Sequence, residues 1–505
     1  MSTYRLLDLL LPMAVLYLIL PVKVRSLFLL LFSVTACWMS GWQGVLYMMA
    51  TAAVTYFSAL KIEQLHAYKK TLNRQDKAGR KAADNRIKGV KRTALLFNFG
   101  MLALLKYVPS LPYHLLEMAG WKGGYFALSL PLGISFYTFA LSGYLFDVTD
   151  RKVPAEKRFD RLLLFASYYP LLIEGPICRY GDLMPELLNE RKSTAENLYR
   201  GGIRVLWGVF KKKVVADRAV LLVDIVFAKD ASFGGAINII GVLFYSLMQY
   251  ADFSGGIDMV LGISEMMGIH PAENFRQPYF ATSLGDFWRR WHITLGAWMR
   301  DYVFYPFALS KPVQFLTNRL KQRKLKSLSR TVPAAAGNLL VFFLVGIWHG
   351  KSTNFIAWGM YNGLVLAASA LMEPYFSRIR TDRYRILKIL RTFLIVNIGW
   401  FFDRSSSFGH ALQMLKNVVL HPDLHQLTDG TISMLGLKTP DVCILAVGVL
   451  LVFSISVLKE KGKDITGLLR RKSPVIQFVL IYLLFLITLL FSIPSDHTGF
   501  MYAMY

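Results

Sequence analysis

The chain has 505 residues, 54% hydrophobic and only 18% charged, whereas a soluble domain carries about a quarter charged residues. Its net charge of +26 would suit a nucleic-acid binder, but the excess lies in three blocks between apolar runs, at 61–92, 311–330 and 459–472. That is the positive-inside pattern of cytoplasmic loops, so the partner it implies is a lipid bilayer and not nucleic acid.

Apolar runs follow one another near 4–20, 26–40, 43–60, 94–108, 127–147, 236–250, 333–348, 353–372, 387–402, 441–458 and 474–493. A stretch of about 20 apolar residues crosses a bilayer, so roughly ten or eleven membrane helices are expected. The first run is followed by Pro21, Lys23 and Arg25 and not by small residues, which reads as a retained span and not a cleaved leader. With the three basic blocks placed in the cytoplasm, both termini fall outside, and the run at 333–348 carries His349 toward the outer face. No stretch resembles a soluble domain, so a single membrane domain is expected. Cys37, Cys178 and Cys443 lie far apart, and no metal site is expected from their spacing.

Polar groups inside such a chain are costly and mark candidate sites. In YYPLLIEGPICRYGDL (168–183), Glu174 and Arg179 interrupt an apolar context, and a re-entrant loop would accommodate them. In QYADFSGGIDM (249–259), Asp252, Ser254 and Asp258 sit beside a span. Both segments are also compatible with hydrogen-bond glue between helices. The third island, LGDFWRRWHITLGAWMRDYVFYP (284–306), mixes Trp288, Trp291, Trp298, Tyr302 and Tyr305 with Asp286, Arg289, Arg290 and His292. It is too polar to span and fits an interfacial amphipathic helix. The fourth, VFFLVGIWHGKSTNFIAWGMYNG (341–363), places His349 at the junction of two apolar runs, between Trp348 and Gly350. A helix broken at membrane depth is tolerated only where it is buried or lines a cavity.

The pair DFWRRWHITLGAWMRDYVFYP and VGIWHG resembles the membrane-bound O-acyltransferase family, in its bacterial alginate O-acetylase and D-alanyl transfer branch. LPLGISFYTFALSGYLFDV (130–148), IEGPICRY (173–180) and YADFSGGIDMVLGISEMMGI (250–269) resemble that branch in the same order. The likeness covers residues 95–370. It implies an all-α fold of about 11 membrane helices plus re-entrant and interfacial helices around a central tunnel, in a bacterial cytoplasmic membrane. It implies His349 as the catalytic histidine and His292 as its partner. Trp348, Trp291, Arg289, Arg290, Asp286, Asp252, Ser254, Glu174 and Arg179 become candidates for the tunnel lining. The donor is expected to be acetyl-CoA or an acyl-carrier thioester, with no tightly bound cofactor. The acceptor is expected to be an extracytoplasmic polysaccharide, reached directly or through an esterase-like partner protein.

Such chemistry needs a base for the attacking hydroxyl and a donor for the oxyanion. Neutral imidazole suits the first task, at His349, and His292 is expected to orient a group or donate to the oxyanion. No Gly-x-Ser-x-Gly elbow is present, and Cys178 reads as an inert buried thiol. The tail HTGFMYAMY places Phe500, Tyr502 and Tyr505 at the outer face. Tyr502 or Tyr505 could relay the acyl group, or the aromatics could simply anchor at the interface. Two other readings stay open: D-alanyl transfer from a carrier protein to teichoic acid, and a membrane transporter, against which the absence of paired inverted halves counts.

Overall fold

A computed structural model of the chain describes residues 3–118, 127–189, 192–228, 232–376, 384–493 and 499–500. The fold is all-α. Among the described residues the only β pairing is one isolated bridge, Phe275 to Trp291. The chain packs as two compact units, residues 4–202 with 260–272, and residues 203–259 with 273–505.

The first unit carries α1 (Thr3–Ile19), α2 (Arg25–Ser40), α3 (Trp42–Thr71), α4 (Lys77–Tyr107), α5 (Leu111–Met118), α6 (Ile134–Thr149), α7 (Phe159–Ser167), α8 (Tyr169–Glu174) and α9 (Tyr180–Leu187). Helix α3 turns Val45, Met48, Ala52, Ala59 and Ile62 inward. Their three- and four-residue spacing makes one apolar stripe. Thr55 on that stripe returns its hydroxyl proton to Thr51 O at 2.8 Å and accepts from Asn98 Nδ2 of α4 at 3.0 Å. Such pairs join helices where lipid offers no alternative partner.

Two helices contribute to both units, α10 (Ala195–Phe210) and α12 (Gly235–Met266). The second unit continues through α11 (Asp217–Val226), the short helices α13 (Leu284–Trp288), α14 (Ile293–Met299) and α15 (Tyr305–Ala308), and α16 (Lys311–Gln322). It ends with α17 (Lys326–His349), α18 (Thr353–Phe376), α19 (Arg385–Arg404), α20 (Phe408–Leu420), α21 (Thr439–Glu460), α22 (Ile465–Arg470) and α23 (Pro474–Phe491). A π-turn, Lys211–Ala216, joins α10 to α11, and a second, Arg300–Phe304, joins α14 to α15.

Seven described helical stretches are long and apolar enough to cross a membrane, or eight if the bent pair α4–α5 makes one span. In α23 only 6% of the apolar window is buried by protein, so its surface is left for lipid. The protein is a multi-pass membrane protein. The runs expected to span at 4–20 and 127–147 form helices of 17 and 16 residues, and the one at 387–402 forms α19, which carries Arg385, Lys388, Arg391, Asp403 and Arg404. Their shortness or charge sets them apart from the rest.

Helices α17 and α18 form a tight antiparallel pair because glycine lines their contact. A Cβ on Gly359 would stand 2.3 Å from Phe342 O, and one on Gly346 would stand 2.7 Å from Phe355 O. Only a missing side chain permits that approach. The polarity of α12 is the other structural cue: Asn238, Ser246, Gln249, Asp252, Ser254 and Asp258 are all buried along it.

Candidate active site

Helix α17 ends at His349, and Gly350 follows in extended backbone. A Cβ on Gly350 would meet the Phe355 ring at 2.8 Å, so the reversal into α18 is shaped to that ring. His349 is 5% exposed. Its imidazole lies 4.9 Å from the Trp348 ring, 4.9 Å edge-on to Trp358, and 6.1 Å in a stacked arrangement from Phe355. Three aromatic rings thus fix a histidine at a helix break, as the sequence placed it.

His292 is set differently. It sits between α13 and α14 at φ +47°, a left-handed conformation that histidine adopts more readily than most residues. The turn is clamped by two backbone bonds, Ile293 N to Asn274 O at 3.0 Å and Arg276 N to Arg290 O at 2.9 Å. Asn274 is fully buried. Its Oδ1 accepts from Thr294 N at 3.1 Å and from Thr294 Oγ1 at 2.9 Å, and it faces His292 Nδ1 at 3.2 Å.

This cluster decides the tautomer. A backbone N–H can only donate, so the Asn274 atom facing Thr294 N must be the carbonyl oxygen. His292 Nδ1 points at that same oxygen and must carry the proton. The lone pair then belongs to Nε2. Burial pushes the imidazole down to about 3, so it stays neutral at any physiological pH. A neutral ring with its lone pair on Nε2 accepts a hydrogen bond there. It cannot supply the oxyanion donor, one of the two roles expected for it, and at this basicity it is a feeble base.

A continuous series of rings connects the two histidines. From His349 it passes to Trp358, then to Trp400 (6.4 Å, stacked), Trp291 (5.6 Å), Phe253 (6.3 Å) and His292 (5.0 Å). Trp288 braces it, with its ring 5.6 Å from Trp358 and its Nε1 donating to Asn362 Oδ1 at 3.3 Å. Trp291 and Trp348 are both buried.

The charged residues of the 284–306 island separate. Asp286 accepts from Arg290 at 3.2 Å, and Arg290 also pairs with Glu460 of α21 at 2.7 Å. Arg289 faces outward, 68% exposed, with Asp286 at 3.7 Å. It departs from the tunnel-lining expectation because it caps the end of the one-turn helix α13, which buries Leu284 and Phe287 and leaves Arg289 exposed. Glu174 is buried at the end of α8 and Arg179 is half-buried, both in the first unit. Tyr502 and Tyr505 lie outside the described residues.

Asp252 and Ser254 lead to a cluster that the sequence does not announce. Lys211, Lys212 and Lys213, on the first π-turn, are 3%, 2% and 1% exposed. Lys211 pairs with Asp258 at 2.8 Å and donates to Ser254 Oγ at 2.7 Å, and Lys212 bonds Asp252. Beside them a cleft is lined by Arg204, Lys211, Asp258, Glu273, Tyr250 and Lys459, among others. Arg204 holds both carboxylates, Asp258 at 3.0 Å and Glu273 at 2.6 Å, so one positive charge remains over. Runs of like charge ordinarily seek water, so this sequence gives no sign that the three are buried. Only the polar spacing of Asp252, Ser254 and Asp258 along α12 hinted at partners waiting for them.

The model of the membrane-bound O-acyltransferase family matches residues 156–409, a stretch holding both histidines, and the chain belongs to that family. Among known relatives it is 36% identical to the probable alginate O-acetylase of Pseudomonas aeruginosa over 288 residues, 56% of this chain and 51% of that protein. It is 30% identical to the peptidoglycan O-acetyltransferase of Helicobacter pylori over 64% of this chain and 63% of that one. It is 28% identical to the teichoic acid D-alanyltransferase of Bacillus subtilis over 55% and 70%. The matched region spans about half the length of the alginate relatives.

Proposed function

We propose that this protein is a membrane O-acyltransferase that moves an acetyl group from a cytoplasmic thioester onto a hydroxyl of an extracytoplasmic polysaccharide. The observation that carries the reading is the pairing of an aromatic-caged histidine at a helix break, His349, with a neutral, tautomer-fixed histidine, His292. In this mechanism His349 removes the hydroxyl proton as the oxygen attacks the thioester carbonyl. His292 Nε2 accepts a hydrogen bond that aims the acceptor, and Trp348 Nε1 or the backbone near Gly350 stabilises the oxyanion. The thiolate leaves and takes up the proton from His349, so the ester, the free thiol and the resting enzyme balance.

Acetyl is preferred to D-alanyl because identity is higher to the two O-acetyl-named relatives than to the D-alanyl one. The basic cleft at Arg204, Lys211 and Lys459 offers cations for the phosphates of a coenzyme A donor. The basic loops support a cytoplasmic-membrane orientation with both termini outside. A secreted esterase-like partner would take the acyl group where transfer is indirect, and Tyr502 or Tyr505 could carry it there.

The test is transfer by the purified protein in lipid nanodiscs supplied with radiolabelled acetyl-CoA. Release of coenzyme A and label transfer by the wild type and not by His349→Ala are expected. Turnover with an aminoacyl carrier protein and none with acetyl-CoA would replace the acetyl reading with the D-alanyl one.

A further inference from the structure

Burying an ammonium requires that its charge be met. Lys213 pairs with Asp217 at 2.7 Å, and Lys211 has Asp258 and Ser254. Lys212 bonds Asp252 and lies 2.9 Å from Asp217. Lys212 also meets the C-terminal segment of the chain. Its Nζ stands 5.3 Å from the centroid of the Phe500 ring and donates to Gly499 O at 3.4 Å. Phe500 is 0% exposed. The π-turn and the start of α11 also hold the end of α23 and the residues just after it. Ile493 N donates to Lys213 O at 3.3 Å, and Arg218 Nη1 donates to Phe491 O at 3.0 Å.

We infer that the π-turn Lys211–Ala216 is a receptor for the chain's own C-terminal segment, in which Phe500 seats against Lys212 and closes its site to water. A π-turn is a local fault in a helix that persists where it serves a site. Here it admits consecutive lysines to partners on α12, α11 and the terminus. The ring face supplies the remaining attraction for a cation whose other sides are taken by carboxylates.

The receptor is next to the site. Asp252, which bonds Lys212, is followed by Phe253, whose ring lies 5.0 Å from His292. Lys212 and Phe500 are positioning residues in this scheme. The docking stands on the contacts above, and its use in acyl relay rests on the functional reading.

Carboxypeptidase digestion of the full-length protein in nanodiscs, followed by intact mass, tests the docking. Wild type is expected to lose only residues beyond Phe500 and to stall there. Phe500→Ala is expected to be trimmed onward toward Ile493 at least tenfold faster, while Phe500→Tyr, which keeps the ring, stalls like wild type. If Phe500→Ala fails to fold, Phe500→Leu takes its place: it keeps apolar bulk without the ring and should be trimmed several-fold faster than Phe500→Tyr. Loss of Phe500 from the wild type at the rate seen in Phe500→Ala, or equal trimming of the Leu and Tyr variants, would overturn the inference. A Tyr502→Phe, Tyr505→Phe double variant separates the two ideas. Full transfer by it would end the relay reading while leaving the trimming pattern, and hence the docking, in place.

Discussion

The second unit interrupts its helices in two contrasting ways. At Gly350 the chain breaks by leaving side chains out: Gly346, Gly350 and Gly359 let backbone and rings approach to distances any Cβ would forbid. At Lys211–Ala216 the helix widens to take charge in, and three lysines find Asp217, Asp252 and Asp258. The first kind of break is written in the residues that make it, because glycine beside tryptophan and histidine has few other reasons to occur in an apolar run. The second depends, for Lys211 and Lys212, on Ser254 and Asp252, 43 and 40 residues away in sequence, which no local pattern reveals.

The sharpest way to break the contrast is at the first site. His349→Ala should lower transfer by about 10²- to 10⁴-fold, the worth of a general base, with the melting temperature little changed. A comparable loss of melting temperature would make His349 a structural residue. At the second site the ranking reverses. Lys212→Met takes a buried cation from Asp252 and leaves Asp217 with Lys213, and should cost about 3–5 kcal/mol, read as a large drop in melting temperature or in folded yield. Adding Asp252→Asn should recover part of it. An unchanged melting temperature for Lys212→Met would mean the lysine site is not closed.

Smaller effects sharpen the picture. Gly359→Ala forces a methyl to within 2.3 Å of Phe342 O and should cost about 1–3 kcal/mol as α17 and α18 part. Transfer should fall with it, since the same pair carries His349. The smallest effect concerns pH. His292 is held near 3 in the folded protein, against about 6.5 unfolded. Between those values the unfolded chain binds the extra proton, so stability rises with pH across that window and is lost on acidification. Replacing His292 with Asn should flatten the slope of melting temperature against pH between 4 and 6.5 by the equivalent of one proton. An unchanged slope would mean that His292 titrates normally.

Much of this was legible. The spans at 26–40, 43–60, 333–348, 353–372, 441–458 and 474–493 emerge as helices because hydropathy over that length has one physical outcome. His349 and His292 stand where their motifs put them, buried and oriented. Asn274 was not legible, since a neutral amide in a loop gives no signal until the turn folds onto it. The burial of Lys211, Lys212 and Lys213 was not legible either, since runs of like charge ordinarily seek water. Arg289 and Arg290 are neighbours of one type and one motif, and the structure gives them opposite fates. Arg290 turns in to Asp286 and Glu460, and Arg289 turns out.

The central claim is that the two histidines serve one reaction. The most direct measurement is single-turnover acetyl transfer by wild type, His349→Ala, His292→Asn and the double variant in nanodiscs. Residues that act as a unit are strongly non-additive, so the double variant should be no slower than His349→Ala alone. Losses that multiply, or wild-type transfer by His349→Ala, would contradict it.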